Sequence, residues 1–168
     1  MSTSAPALPA PPQDPRTPQE LAATVRAFAA RRALWEPLVR FTTPDRWYHR
    51  LDTGAEHEVW LLTWLPGQGT EIHDHGGASG AFGVVRGTLT ERSFAPPEAG
   101  TTRGPGVRSL PTEGLRSFGP RHVHEVTNRG EQPAVSIHAY APALTTMSYY
   151  TEIAEGRLRL DRTDPVEK

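Results

Sequence analysis

The chain has no cysteine among its 168 residues. That absence excludes disulfides, zinc–thiolate sites, iron–sulfur clusters and thiol nucleophiles together. Lysine is nearly missing as well: of 18 basic residues only Lys168 is one, and with 19 acidic residues the net charge is −1. Such a balance gives no electrostatic footprint for nucleic acid or an anionic membrane. No stretch approaches the roughly 18 consecutive apolar residues that a membrane helix needs. The first basic residue is Arg16, and prolines break up the apolar residues before it, so no secretory leader is expected. The expectation is a soluble, cytoplasmic protein, monomeric or a small homo-oligomer, with neither a nucleic acid nor a membrane as partner.

Proline and glycine are plentiful, at 17 and 15 residues, which points to many turns between short strands. Pro6, Pro9, Pro11, Pro12 and Pro15 lie among Ala and Ser. Residues 1–16 therefore read as a disordered tail that buries too little to offset the entropy of ordering it. At Thr17-Pro18-Gln19-Glu20 the composition changes to a capping-box signature. Leu21, Val25, Phe28 and Arg32 keep a helical period, and Leu34, Trp35 and Leu38 extend the apolar content until Pro37 interrupts it. One or two N-terminal helices are expected before Pro44, covering one face of the strands beyond it.

Extended segments are expected at Trp47–Leu51, Glu58–Leu65, Thr70–His75, Phe82–Phe94, Val107–Leu110, Leu115–Phe118, Val123–Asn128, Ala134–Tyr140 and Met147–Ile153. Their separators are turn chemistry, such as Pro66-Gly67, Gly104-Pro105-Gly106 and Gly119-Pro120. This spacing predicts an all-β fold, a small barrel or double-sheet jelly roll, with residues 17–168 as a single domain.

The chemistry concentrates at Gly67-Gln-Gly-Thr-Glu-Ile-His73-Asp-His75. Side chains two apart on a strand point the same way, so His73 and His75 can converge on one ion while Asp74 points off. An isolated pair of this kind reads as two surface or hydrogen-bonded histidines. Its context argues otherwise: Gly67-x5-His73-x-His75, with Gly87 twelve positions on, fits the first motif of the cupin superfamily. Gly114-x5-Pro120 with His124-x3-Asn128 resembles the second, one residue short. The glutamate position of the first motif is Gly80, so the resemblance implies a double-stranded β-helix barrel whose metal lacks a fourth protein ligand. Three imidazoles leaving open positions suit redox iron better than closed structural zinc.

The run Ser136-Ile-His138-Ala-Tyr140 sharpens the resemblance, because it is similar to the Ser-x-His-x-Tyr strand of the cysteine dioxygenase family of thiol dioxygenases. Alternation places these three side chains on one face, where they can hydrogen-bond in series. The resemblance spans residues 46–151. It implies mononuclear non-haem Fe(II) held by His73, His75 and His124, with His122 competing for the third place from the same face. Trp47-Tyr48-His49-Arg50 matches the family's Tyr-x-Arg strand, which implies Arg50 as clamp for the substrate carboxylate and Tyr48 in the pocket wall. Tyr140, oriented by His138 and Ser136, would serve catalysis.

Two departures from the family stand out. Animal members join the equivalent of Tyr140 to a cysteine by a thioether; here that cysteine position is Gly80, as in bacterial relatives. A second family cysteine falls at Met147. The implied activity is oxidation of L-cysteine with O2 to cysteine sulfinate. The alternatives are another thiol acid, such as 3-mercaptopropionate or mercaptosuccinate, and a non-catalytic metal-binding cupin sensor. The glycines at 76, 77, 80, 83 and 87 lack the continuation of a phosphate loop, and Ser79 lies in no nucleophile elbow.

Overall fold

The structure is a computed structural model, which describes residue 10 and residues 14–97 and 104–167. Apart from residues 10 and 14–16, the expected disordered tail lies outside the described residues. Helix α1 spans Pro18–Ala30, and its start is the one the sequence specifies. Thr17 Oγ1 accepts from the Glu20 amide at 3.1 Å, and Glu20 Oε2 accepts from the Thr17 amide at 3.4 Å. A short α2 (Arg32–Trp35) runs into a 3-10 turn over Glu36–Leu38, where Pro37 sits. No described helix is long and apolar enough to cross a membrane.

Eleven strands follow in the described chain. They are β1 (Tyr48–Thr53), β2 (Glu58–Trp64), β3 (Ile72–His73), β4 (Ser79–Arg86), β5 (Leu89–Phe94) and β6 (Gly106–Leu110), then β7 (Leu115–Phe118), β8 (Val123–Thr127), β9 (Ala134–Ala141), β10 (Thr146–Ala154) and β11 (Arg157–Pro165). They form two antiparallel sheets, ordered β1-β2-β9-β4-β7 and β11-β10-β3-β8-β5-β6. This is the all-β jelly roll with N-terminal helices that the turn spacing predicts.

Three details differ from that expectation. The segment Phe82–Phe94 is two strands, because Gly87 at φ +77° turns the chain where a side chain would meet the Pro133 carbonyl at 2.6 Å. The expected strand Thr70–His75 shrinks to Ile72–His73. Strand β11 was not anticipated: Gly156, at φ 71°, reverses the chain into it.

Strand β9 is buried along its whole length, and its alternation divides the interior. Val135, Ile137 and Ala139 face outward, joining Val59, Leu61 and Ala81 beneath Leu21 and Val25 of α1. Full burial of each such aliphatic side chain contributes about 1.5–3 kcal/mol, so α1 is held by its apolar stripe. Ser136, His138 and Tyr140 take the opposite face, between the sheets. There the apolar lining is Trp64, Phe82, Val84, Phe118 and Val126.

Candidate metal centre

His73 lies on β3 and is the cross-strand partner of His124 on β8. His75 arrives from the loop beyond β3, not from a continuous strand. Asp74 fixes that loop: its carboxylate accepts from the amides of Gly76 (3.0 Å) and Ser148 (3.1 Å) and from the Tyr150 hydroxyl (2.7 Å). Asp74 is thus turned away from its neighbours while the two histidines converge. The rings of His73, His75 and His124 are 4.8–5.0 Å apart by centroid, and one nitrogen from each lies within 4.8 Å of the others. All three are buried, at 5%, 2% and 3% exposure.

Each ring is held differently. His73 Nδ1 donates to the Glu71 carbonyl at 2.8 Å, and His124 Nδ1 donates to Glu91 Oε2 at 2.7 Å. Both bonds fix the tautomer that leaves a lone pair on Nε2. Neither nitrogen of His75 has a hydrogen-bond partner; its ring is stacked on Phe118 at 4.8 Å and on Tyr140 at 5.2 Å. Burial, then the neighbouring His124, lowers the pKa of His73 to about 3. Burial, then His73 and His124, puts His75 well below 6.5. Burial also lowers His124, against the pull of the Glu91 hydrogen bond.

The three imidazoles are therefore neutral at pH 7, with lone pairs available. An unpartnered buried nitrogen costs about 1–3 kcal/mol, and a cation would relieve that at His75. An all-nitrogen donor set suits iron and its late first-row neighbours, and does not suit magnesium or calcium. The residues fit a metal ion.

His122 does not join this group. Its Nε2 donates to Glu91 at 3.1 Å and its ring stacks on Phe118 at 4.5 Å.

A second polar line runs behind the histidines. The Trp64 indole N–H donates to Ser136 Oγ at 2.8 Å, Ser136 Oγ meets His138 Nε2 at 2.7 Å, and His138 Nδ1 meets Tyr140 OH at 3.2 Å. An indole N–H can only donate, and it takes one lone pair of Ser136 Oγ; with the His138 proton on Nδ1, Ser136 donates to Nε2 and Nδ1 donates to the tyrosine oxygen. In that tautomer the Tyr140 proton is left over for whatever enters from the cavity. Burial pushes that phenol's pKa up and holds it neutral; burial also keeps His138 uncharged. Trp64 was not among the expected residues, because its place beside Ser136 depends on the β2–β9 register.

A cavity of about 450 Å³ opens beside the cluster, lined by Arg46, Tyr48, His73, His124, Tyr140 and Met147 among others. Tyr48 is in the wall, although 60% exposed. Arg50 is not: it is exposed, its guanidinium 5.7 Å from the Trp60 ring centre and outside the lining. The arginine in the cavity is Arg46, whose guanidinium lies 4.4 Å over the Trp64 ring. No carboxylate pairs with it among the described residues, and burial lowers its pKa. Gly80 faces Tyr140 across β4 and β9, and a Cβ there would lie 2.5 Å from Phe118 and 3.0 Å from Tyr140.

Comparison with known proteins matches the sequence to a family. A family described as Cysteine dioxygenase type I has a sequence profile that matches residues 13–153. Cysteine dioxygenase type 1 of Bos taurus is 26% identical over 135 residues, covering 76% of this chain and 66% of that protein, and the Rattus norvegicus enzyme gives the same values. The chain thus spans just under two thirds of the length of these relatives. Among solved structures, the TT1209 protein from Thermus thermophilus superimposes with a TM-score of 0.55 at 18% identity, covering 64% of this chain and 93% of that one. A double-stranded β-helix protein from Klebsiella pneumoniae gives 0.53 at 20% identity, covering 64% and 80%. At these identities the structural matches establish the fold, a double-stranded β-helix of the cupin type.

Proposed function

The chain belongs to the cysteine dioxygenase type I family, and from that premise we propose that it is an iron-dependent thiol dioxygenase whose substrate is L-cysteine. The observation that carries this reading is one cavity lined by His73 and His124 of the three-imidazole cluster, by the Tyr140 hydroxyl and by the guanidinium of Arg46. His73, His75 and His124 would hold Fe(II) through nitrogen. Iron, when bound there, supplies the electron transfer that allows dioxygen to react with a thiolate.

The overall change is RSH + O2 → RSO2H. Both oxygen atoms pass to sulfur, which loses the four electrons that reduce O2, and at neutral pH the product is the sulfinate with one proton released. The chain's own residues confine and orient the reactants. Arg46, in place of Arg50, offers the two parallel donors that a carboxylate accepts. Among the described residues no carboxylate pairs with this half-buried cation, which is unfavourable, and an anionic substrate would supply the missing partner. The hydroxyl of Tyr140 would donate a hydrogen bond toward sulfur or its oxidation product. Its oxygen is held by His138, which is bonded in turn to Ser136 and, through it, to Trp64. Trp60, Leu62, Trp64 and Leu144 wall the cavity, which limits water around the reacting sulfur.

The test is anaerobic loading with Fe(II), then oxygen uptake and product identification with cysteine, 3-mercaptopropionate, mercaptosuccinate and cysteamine under 18O2. Cysteine sulfinate carrying two labelled oxygens is expected. Fastest turnover with another thiol acid would reassign the substrate. Stoichiometric iron without uptake on any thiol would leave a binding module and end the enzymatic reading.

A further inference from the structure

The two hydrogen-bonded histidines of the centre differ in one respect: His73 rests on a neutral carbonyl, whereas His124 rests on a carboxylate. That carboxylate belongs to Glu91, on β5, and is 1% exposed. A charged group so deep in a β-sandwich is expensive unless every lone pair is engaged, and here both oxygens are engaged. Oε2 accepts from His124 Nδ1 (2.7 Å) and His122 Nε2 (3.1 Å), while Oε1 accepts from Arg116 Nε (2.8 Å). Two imidazole nitrogens and a guanidinium aimed at its two oxygens are the donor set that a carboxylate accepts.

Glu91, His122 and His124 themselves bring ligand atoms within 4.8 Å of one another, so a second ion site has to be weighed. The hydrogen bonds argue against it. Both imidazole nitrogens that face Glu91 carry protons, and a protonated nitrogen has no lone pair to give. An ion there would also sit beside the Arg116 guanidinium. The cluster is a support with one output, the ring of His124, whose other nitrogen faces His73 and His75.

We propose that Glu91 is a positioning residue for the metal centre. It locks His124 in the Nδ1–H tautomer and, through its negative charge, makes Nε2 the strongest donor of the three. Arg116 and His122 tether the carboxylate from the far side, so that it cannot swing onto the ion itself. This rests on His73, His75 and His124 being the ligands. An anion bonded to the outer nitrogen of a ligating imidazole raises that ligand's basicity, and loss of such a partner typically weakens metal binding about 10- to 100-fold.

The experiment compares Glu91→Gln, which keeps an acceptor oxygen without charge, with Glu91→Ala. The double variant Glu91→Gln/Arg116→Gln is included because a lone Arg116 could unfold the single variants. The probe is Co(II) added to metal-free protein, followed by its visible absorption. Long-range 1H–15N NMR reads the His124 tautomer without metal. Expected are a smaller loss of Co(II) affinity in the Gln variants, a loss of about 10- to 100-fold in the Ala variant, and an Nδ1–H tautomer that Ala alone releases. Unchanged affinity in a folded Ala variant would overturn the proposal. So would weakened binding with the His124 tautomer intact in Ala, since that describes a merely structural role. Failure of the unaltered protein to bind Co(II) or Fe(II) would instead remove the three-histidine reading, a separate outcome visible before any variant is made.

Discussion

On the proposed function, the choice between two arginines decides how one thiol is told from another. Arg46 lies in the cavity over Trp64, at 4.4 Å, with no carboxylate paired to it among the described residues; Arg50 lies outside over Trp60, at 5.7 Å. If Arg46 reads the substrate carboxylate, Arg46→Ala removes a charge-assisted contact of about 1.5–3 kcal/mol. That is about a 10- to 150-fold fall in kcat/KM for cysteine. Cysteamine, which has the thiol and amine but no carboxylate, should lose less than about threefold. The substitution also removes a cation–π contact of about 0.5–1 kcal/mol, but it relieves the burial of an unpaired guanidinium. Thermal stability should therefore move by only a few degrees. Arg50→Ala deletes an exposed contact and should leave both thiols within about threefold. Oxygen-electrode kinetics on the two variants with the two thiols give all four numbers. A large loss for cysteine in Arg50→Ala, with Arg46→Ala near normal, would refute the assignment. Equal losses for both thiols in Arg46→Ala would assign that side chain to structure.

Tyr140→Phe removes only the hydroxyl, so Co(II) affinity should persist while sulfinate formed per O2 falls; full coupling at an unchanged rate would remove the phenol from the chemistry. Trp64→Phe deletes the donor that anchors Ser136, and should lower coupling in the same direction, with a stability loss of about 1 kcal/mol for the buried bond; normal coupling would show that the serine needs no such anchor. The buried imidazoles set an acid limit. His73 titrates at about 3 in the folded chain and near 6.5 when unfolded, so between these values the unfolded state binds more protons. Stability is then retained above pH 6.5 and lost as pH falls below it, by roughly 2 kcal/mol at pH 5 for such a group. His75 and His138, also depressed by burial, add to the slope. A melting temperature for metal-free protein that stays level from pH 7 to pH 5 would contradict this.

What was legible in the sequence was what repeats locally. The two-residue spacings His73-x-His75 and Ser136-x-His138-x-Tyr140 fix which side chains share a face, and the capping box at Thr17 fixes where α1 begins. What was not legible depends on register between distant strands. Residues 46, 48 and 50 have the same parity, so alternation cannot say which arginine stands level with the histidines. That height is set by the pairing of Tyr48 with Leu62 and of Arg50 with Trp60. Glu91 offered a signal, a carboxylate at an inward position between Leu89 and Phe94, but its partners arrive from β7 and β8. Strand β11 alternates Arg157-Leu158-Arg159-Leu160, yet as an exposed edge strand it has no buried face to sharpen the pattern. His75 reached its place through the Asp74 loop and not through the strand that was expected there.

The missing side chain at Gly80 bears on the history open to this lineage. The thioether associated with animal members needs a sulfur beside the equivalent of Tyr140, and Gly80 is directly across from that tyrosine. A single change to cysteine would nonetheless drive its Cβ to 2.5 Å from Phe118. That ring cannot step aside at leisure, because it is stacked between His75 and His122. The order of substitutions is then constrained: Phe118 has to shrink or move first, at some expense to His75, before a cysteine at position 80 is tolerated. Acquiring the crosslink from this background is a two-step path through a weakened intermediate, and a laboratory attempt to install it should begin at Phe118.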